Sequence, residues 1–406
     1  MNSTSNPGWT KSQRNVVIAA YLGWTLDAFD FFLMVFMFKD ISAELHSSMQ
    51  VVATAVLLTL GMRPIGALLF GRLADRYGRK PTLVWNILAY SLLEMASGFA
   101  PTMTTLLIVR ALFGIAMGGE WGVGSALTME TIPVSARGFV SGLLQSGYPS
   151  GYFLASLAVY LFYDRLGWRY MFVLGVLPAV LVFFIRRGVD ESPAWKETQN
   201  ATREGMLSVL QRNWKLAIYG ILLMTAFNFF SHGSQDAYPN LFLKVEHHFD
   251  THVSSLMTAI ANVGAICGGL SFGFLSQKIG RRKAIMFAAL LALPALPFWA
   301  FGSTPVILAA GAFLMQIAVQ GAWGVIPVHL NELSPPGIRA TFPGFIYQLG
   351  NLLAASNLNL QVAIAEANGN NYGLAMAIVV GTVALVIVCM VAFGPERHGV
   401  SMTAQT

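Results

Sequence analysis

Residues 71–80 read Gly71-Arg72-Leu73-Ala74-Asp75-Arg76-Tyr77-Gly78-Arg79-Lys80. At an offset of 202 positions the chain reads Gly273-Phe274-Leu275-Ser276-Gln277-Lys278-Ile279-Gly280-Arg281-Arg282. Gly71, Gly78 and Arg79 thus recur as Gly273, Gly280 and Arg281. The offset holds well beyond these loops. Gly119-Glu120-Trp121-Gly122-Val123 pairs with Gly321-Ala322-Trp323-Gly324-Val325. Glu130, Pro133 and Arg137 pair with Glu332, Pro335 and Arg339, and Gly142 pairs with Gly344. Agreement at so many Gly, Trp and Arg positions marks two copies of one unit running in the same direction.

Composition says what kind of unit it is. Of 406 residues, 55% are hydrophobic and 11% charged, against roughly 25% charged in a soluble domain. Mean hydropathy is +0.60. A membrane-crossing helix needs ~20 mainly apolar residues. Such stretches fall near 15–38, 50–70, 82–99, 104–127, 138–162, 168–186, 214–235, 253–275, 284–302, 304–329, 341–364 and 371–394. The ninth and tenth are separated by the turn signal Gly302-Ser303-Thr304-Pro305. The longest polar interval is 187–213, carrying Arg187, Asp190, Glu191, Lys196, Arg203 and Arg212. The expected fold is an all-α integral membrane protein. Twelve transmembrane helices form two parallel six-helix bundles, 1–186 and 214–406, joined by the linker 187–213.

The formal net charge of +6 would suit nucleic acid if it formed one face. It does not. With the N-terminus inside, 19 basic residues fall in inside segments and 4 in outside loops. That bias puts both termini in the cytoplasm. The N-terminal stretch lacks an apolar core with a small-residue cleavage site, so no cleaved signal peptide is expected. Cys267 and Cys389 both lie in apolar stretches, which argues against a disulfide framework and leaves a metal too few ligands. No nucleotide-binding loop, metal-binding helix or Ser/His/Asp arrangement is present, so neither an enzyme nor ATP-driven transport is expected, and no cofactor. A signalling sensor would need a sizeable soluble appendage. Parallel halves in a membrane point instead to a solute carrier that rocks about a central site. The expected partners are the lipid bilayer and a small solute, and a monomer would suffice.

The loop at 71–80 resembles the signature G-x-L-A-D-R-x-G-R-K of the major facilitator superfamily. The resemblance implies a gating and structural role for Gly71, Asp75, Arg76, Gly78 and Arg79, and for Arg281 in the second copy. Gln277 stands where the first copy has Asp75, which implies a carboxylate latch in the first half only. Arg110-Ala111-Leu112-Phe113-Gly114 resembles the R-x-x-x-G motif of the same superfamily and implies a structural or gating Arg110. Arg137 and its repeat mate Arg339 join this set.

Ionisable groups at membrane depth are costly and mark function or helix-locking pairs. Asp27 and Asp30 are spaced i, i+3, so they share a face of the first span. They suit proton coupling, or one locks two helices by pairing with a basic residue. Arg63 lies eight residues before Gly71, ~12 Å deep. It can clamp a carboxylate bidentately, or form a structural salt bridge to Asp27, Asp30 or Glu94. Glu120 lies in the fourth span beside Gly118-Gly119 and is a further proton site. In the seventh span Asn228, His232 and Asp236 are spaced by four, with Ser231 and Gln235 on the same stripe. An inter-helix network is one explanation. Substrate contact by Asn228, His232 and Gln235, with proton handling by His232 and Asp236, is the other; an imidazole titrates near neutral pH.

This stripe resembles the N-x-x-[ST]-H-x-[ST]-Q-D-x-x-x-T signature of the lactate/pyruvate proton symporters in the sialate:proton symporter family. Asn228, Ser231, His232, Ser234, Gln235 and Asp236 match, and Asn240 replaces the final Thr. The resemblance implies symport of a small monocarboxylate with protons across the cell (inner) membrane. The alternatives are a sialic acid permease and, less well matched to Arg63, a drug/proton antiporter.

Overall fold

The helices begin where the sequence offers an oxygen to unsatisfied backbone amides. Thr10, Ser48, Thr102, Asp250, Thr304 and Asn371 each accept the backbone N–H three residues on, the usual remedy for an open helix start. The computed structural model describes residues 9–198 and 206–403. Arg203 and the first eight residues of the polar N-terminal stretch lie outside the described residues.

Spans one to four are Lys11–Phe36, Met49–Tyr77, Arg79–Gly98 and the pair Met103–Gly118 with Glu120–Thr131. Spans five and six run through Arg137–Gln145, Gly147–Leu174 and Leu177–Gly188. Gly167, at φ 70° inside the middle piece, separates them. Spans seven to ten are Trp214–Gln235, Thr251–Ile279, Arg281–Ala300 and Pro305–Leu333. Span eleven is Thr341–Ala354 with Asn357–Ala367, and span twelve is Tyr372–Phe393. Among the described residues, 9 helical stretches are long and apolar enough to cross a membrane by that measure alone. The difference from twelve has physical causes. Spans five and six count as one stretch, Val134–Val182. Span three carries Asn86 and Glu94, and span eleven is broken after Ala354.

The repeat offset reappears as packing. Gly66 lets span two approach the backbone of Ile115 in span four, and its mate Gly268 lets span eight approach Ile317 in span ten. A side chain at either glycine would collide with carbonyl backbone, so small residues set these helix pairs. Gly78 and Gly280 turn the chain at φ 115° and 95°, a region that only glycine enters cheaply. After each turn the arginine forms a two-pronged buried pair. Arg79 meets Glu130 at 3.0 and 3.1 Å, and Arg281 meets Glu332 at 2.9 and 3.0 Å. Glu191 and Glu396 then accept the free amides of the helices that follow.

The hydrogen bonds joining the two halves gather at the end that carries the basic loops. Asp75 accepts from the amides of Ala340 and Thr341 at 2.9 and 3.1 Å and from the Thr341 hydroxyl at 2.6 Å. The sequence implied a carboxylate latch in the first half only. In the second half Gln277 accepts the Gly138 amide at 3.1 Å, the mate of the Asp75–Ala340 contact, so the equivalent position is served by a neutral amide oxygen. Ser141 accepts from Val328 and Ser125 from Asn331 across the same seam. Arg137 donates to the Val400 carbonyl at 2.7 Å.

Candidate functional site

Above this seam lies a cavity of about 340 Å³ enclosed by both halves. Its second-half wall includes the polar stripe of span seven. Asn228, Ser231, His232, Gln235 and Asp236 all line it. His232 Nδ1 sits 3.2 Å from an Asp236 oxygen, and its Nε2 sits 3.0 Å from Asn351 Oδ1 in span eleven. The imidazole is thereby held between a carboxylate and an amide. Gln235 donates to Gln316 at 3.0 Å, and Gln316 donates to Ser234 at 3.1 Å. Past Gln235 the helix gives way to a wider π-helical turn, Tyr238–Glu246, which carries the exposed Asn240. Such turns re-aim side chains at functional sites.

The first-half wall is aromatic, with a single basic group. Trp24, Phe31, Phe32, Tyr148 and Tyr152 line it together with Arg63. Among the described residues Arg63 pairs with no carboxylate. Its Nη2 lies 2.6 Å from the Met117 sulfur and its guanidinium stacks 5.1 Å over Phe31. A thioether is a weak acceptor, so the guanidinium keeps its strong donors for another partner. The salt bridge to Glu94 that sequence allowed for Arg63 belongs instead to Arg110. Arg110 and Glu94 pair with both side chains fully buried, and Arg110 stacks on Phe113 at 4.0 Å.

Asp27, Asp30 and Glu120 do not line this cavity. They lie behind its first-half wall, at 1%, 0% and 1% exposure. Among the described residues neither Asp30 oxygen has a hydrogen-bond partner, nor does Asp27 Oδ1 or Glu120 Oε2. The three share the bundle interior with Tyr90, Glu94 and Arg110. The cost of membrane burial identified them, but not which helix covers them. The cavity floor is aromatic: Tyr347 meets Trp24 at 6.4 Å, Trp121 at 4.7 Å and Trp323 at 5.6 Å. Asn351 and Tyr347 were not singled out from sequence. An asparagine inside apolar span eleven was the available signal.

Two repeated bundles around a shared cavity, latched at one end, make a secondary transporter for a small metabolite. The chain belongs to the Major Facilitator Superfamily: the family model of that description matches residues 20–235. A second model, "Sugar (and other) transporter", matches residues 205–396. The chain is 28% identical to a "Carboxylic acid transporter protein homolog" of Saccharomyces cerevisiae, over 94% of this chain and 68% of the yeast protein. It is 29% identical to "Sialic acid transporter NanX" of Escherichia coli, over 95% of each chain. Its fold matches a solved structure of the proton:xylose symporter XylE with a TM-score of 0.77 at 18% identity, covering 96% of this chain and 97% of the other. It is a multi-pass membrane protein, not an enzyme.

Proposed function

We propose that this protein moves a small carboxylate across the membrane together with protons. One observation carries the reading. The cavity sets an unpaired guanidinium, Arg63, on its first-half wall and the Asn351–His232–Asp236 group on its second-half wall. Arg63 clamps the carboxylate, which an arginine fork fits in two parallel hydrogen bonds. Asn228 and Gln235 hold the rest of the solute. His232 and Asp236 carry protons at the cavity surface, and Asp27, Asp30 and Glu120 carry them within the first half. Units 1–186 and 214–406 rock about the cavity, with 187–213 as the tether. The basic-loop end is cytoplasmic, by the excess of Lys and Arg there, and the membrane is the cell's inner membrane. One copy of the chain contains every group invoked.

The yeast and bacterial relatives, named for carboxylic and sialic acid transport, support an acidic solute. Lactate or pyruvate fits the span seven signature best. Sialic acid is the second reading, favoured by the amides of Asn262, Gln316 and Gln320 on the cavity wall, which suit a hydroxyl-rich acid. Drug/proton antiport fits poorly, since Arg63 would repel a cationic drug.

Purified protein in liposomes provides the test. Labelled lactate or pyruvate is expected to enter under an inward proton gradient, and a protonophore is expected to abolish accumulation. Competition by excess sialic acid but not lactate selects the second reading. No gradient-driven uptake of any of these acids would discard the proposal.

A further inference from the structure

Glu120 stands apart from the other buried acids. It begins the lower part of span four, just after Gly118-Gly119. Span one makes room for it at Gly23, where any side chain would meet Glu120 Oε1. Beside it lies a second cavity of about 10 Å³, lined by Ala20, Trp24, Glu120, Trp121, Gly124, Ser125 and Leu144. A water molecule needs roughly 10–15 Å³ and two or more polar partners. The Glu120 carboxyl and the Ser125 hydroxyl supply them. Trp24 lines both cavities.

The small cavity leads to the seam. Ser125 Oγ accepts from Asn331 Nδ2 of the second half at 3.2 Å. That bridge joins the halves at the basic-loop end and must part when this end opens. Around Glu120, span one presents Asp27 and span three presents Tyr90, both within electrostatic reach. Span two meets the neighbouring Gly118 through the Arg63 backbone, while the Arg63 guanidinium turns to Met117. Spans ten and eleven bring the neutral Asn331 and the phenol Tyr347. Among the described residues no basic side chain pairs with Glu120. An ionised carboxylate buried without a partner is costly, so this position suits an acid that holds a proton until water arrives.

We propose that Glu120, the small cavity and the Ser125–Asn331 bridge form a proton exit separate from the substrate's path. This deepens the proton-coupled reading and rests on it. When the seam opens, the Glu120 O–H bond breaks and its electron pair stays on the carboxylate. A water in the small cavity takes the proton and passes it to bulk solvent. The carboxylate then takes its next proton from Asp27, and Asp27 is reprotonated by a proton from the opposite side of the membrane when that end opens. Proton release therefore waits on the parting of Ser125 from Asn331.

The test compares two assays on reconstituted protein: accumulation of labelled lactate driven by an inward proton gradient, and exchange of labelled for unlabelled lactate at equal pH. In Glu120→Gln the ratio of accumulation to exchange is expected to fall at least about tenfold. Ser125→Ala, which keeps the carboxyl but removes the bridge, is expected to lower the same ratio. A ratio within about twofold of the wild type in Glu120→Gln overturns the proposal. Should Glu120→Gln be inactive in both assays, an unchanged ratio in Ser125→Ala overturns it. A wild-type protein that exchanges lactate but never accumulates it refutes proton coupling itself, and with it the reading beneath.

Discussion

At the scale of single residues, Arg63 is the sharpest test of the site. Its donors face a thioether and an aromatic ring, so substitution breaks no ion pair among the described residues. Arg63→Ala should therefore fold and lose substrate. Removing one member of a desolvated charged hydrogen bond costs about 2–5 kcal/mol, so the initial rate of carboxylate uptake at low substrate should fall by about two orders of magnitude. Arg63→Lys keeps the charge but not the fork, and should recover only part of the rate. His232 gives the complementary experiment. His232→Gln can still meet Asn351 but cannot pick up a proton. Uptake by this variant should lose its response to an imposed proton gradient, and a response equal to the wild type would exclude His232 from coupling. The span seven stripe was legible in sequence because five polar groups recurred at helical spacing. Asn351 was not, because span eleven shows no comparable run of polar residues at a spacing of four, and Asn351 acquires meaning only from the imidazole it touches. Asp27, Asp30 and Glu120 were legible as costly groups. Helical period says which residues share a face; it does not say which neighbour covers that face.

At the scale of helices, the repeat makes a paired prediction. Gly66 and Gly268 hold equivalent crossings, against Ile115 and Ile317. Gly268→Val forces spans eight and ten apart, and overpacking of this kind costs about 1–3 kcal/mol. The melting midpoint in detergent should drop, and Gly66→Val should drop it similarly. Gly61 is the control. Nothing lies within 4 Å of a side chain placed there, so Gly61→Ala should leave the midpoint unchanged or raise it, since alanine favours a helix over glycine by about 1 kcal/mol. Equal loss at Gly61 would mean that span two tolerates no change at all, rather than that close crossings matter. Most helices were legible because hydropathy gives their number and approximate length. Two features were not. The positive φ at Gly167 and the wide turn Tyr238–Glu246 are single departures from the helical path, which a hydropathy pattern does not record.

At the scale of the whole molecule, the seam decides which end is open. Two latches occupy equivalent positions with different chemistry. Asp75 offers a charge to the start of span eleven, accepting from Ala340 and Thr341, while Gln277 offers a neutral oxygen to Gly138 at the start of span five. A helix start favours the anion, so the first latch is the stronger. Asp75→Asn should weaken closure at the basic-loop end. A hydrogen bond to a charged acceptor contributes about 1 kcal/mol more than one to a neutral acceptor, which shifts the open-to-closed ratio by roughly fivefold. Gln277→Asp should move the ratio the other way, provided that its carboxylate keeps the contact with Arg281, now 3.1 Å from the amide oxygen. Spin labels at positions 72 and 278, both exposed and on opposite halves, would read the change as longer distances for the first variant and shorter ones for the second. Residues 399–402 add a further tie. Arg137 of the first half holds the Val400 carbonyl, Glu332 of the second accepts the Gly399 amide at 3.1 Å, and Met402 is buried. Truncation after His398 removes all three contacts while leaving Glu396 on Arg281 and Arg282. It should lengthen the label distance as Asp75→Asn does, and the two changes together should exceed either alone. Identical distances in the truncated and intact proteins would mean that the tail rides on the second half without restraining the first.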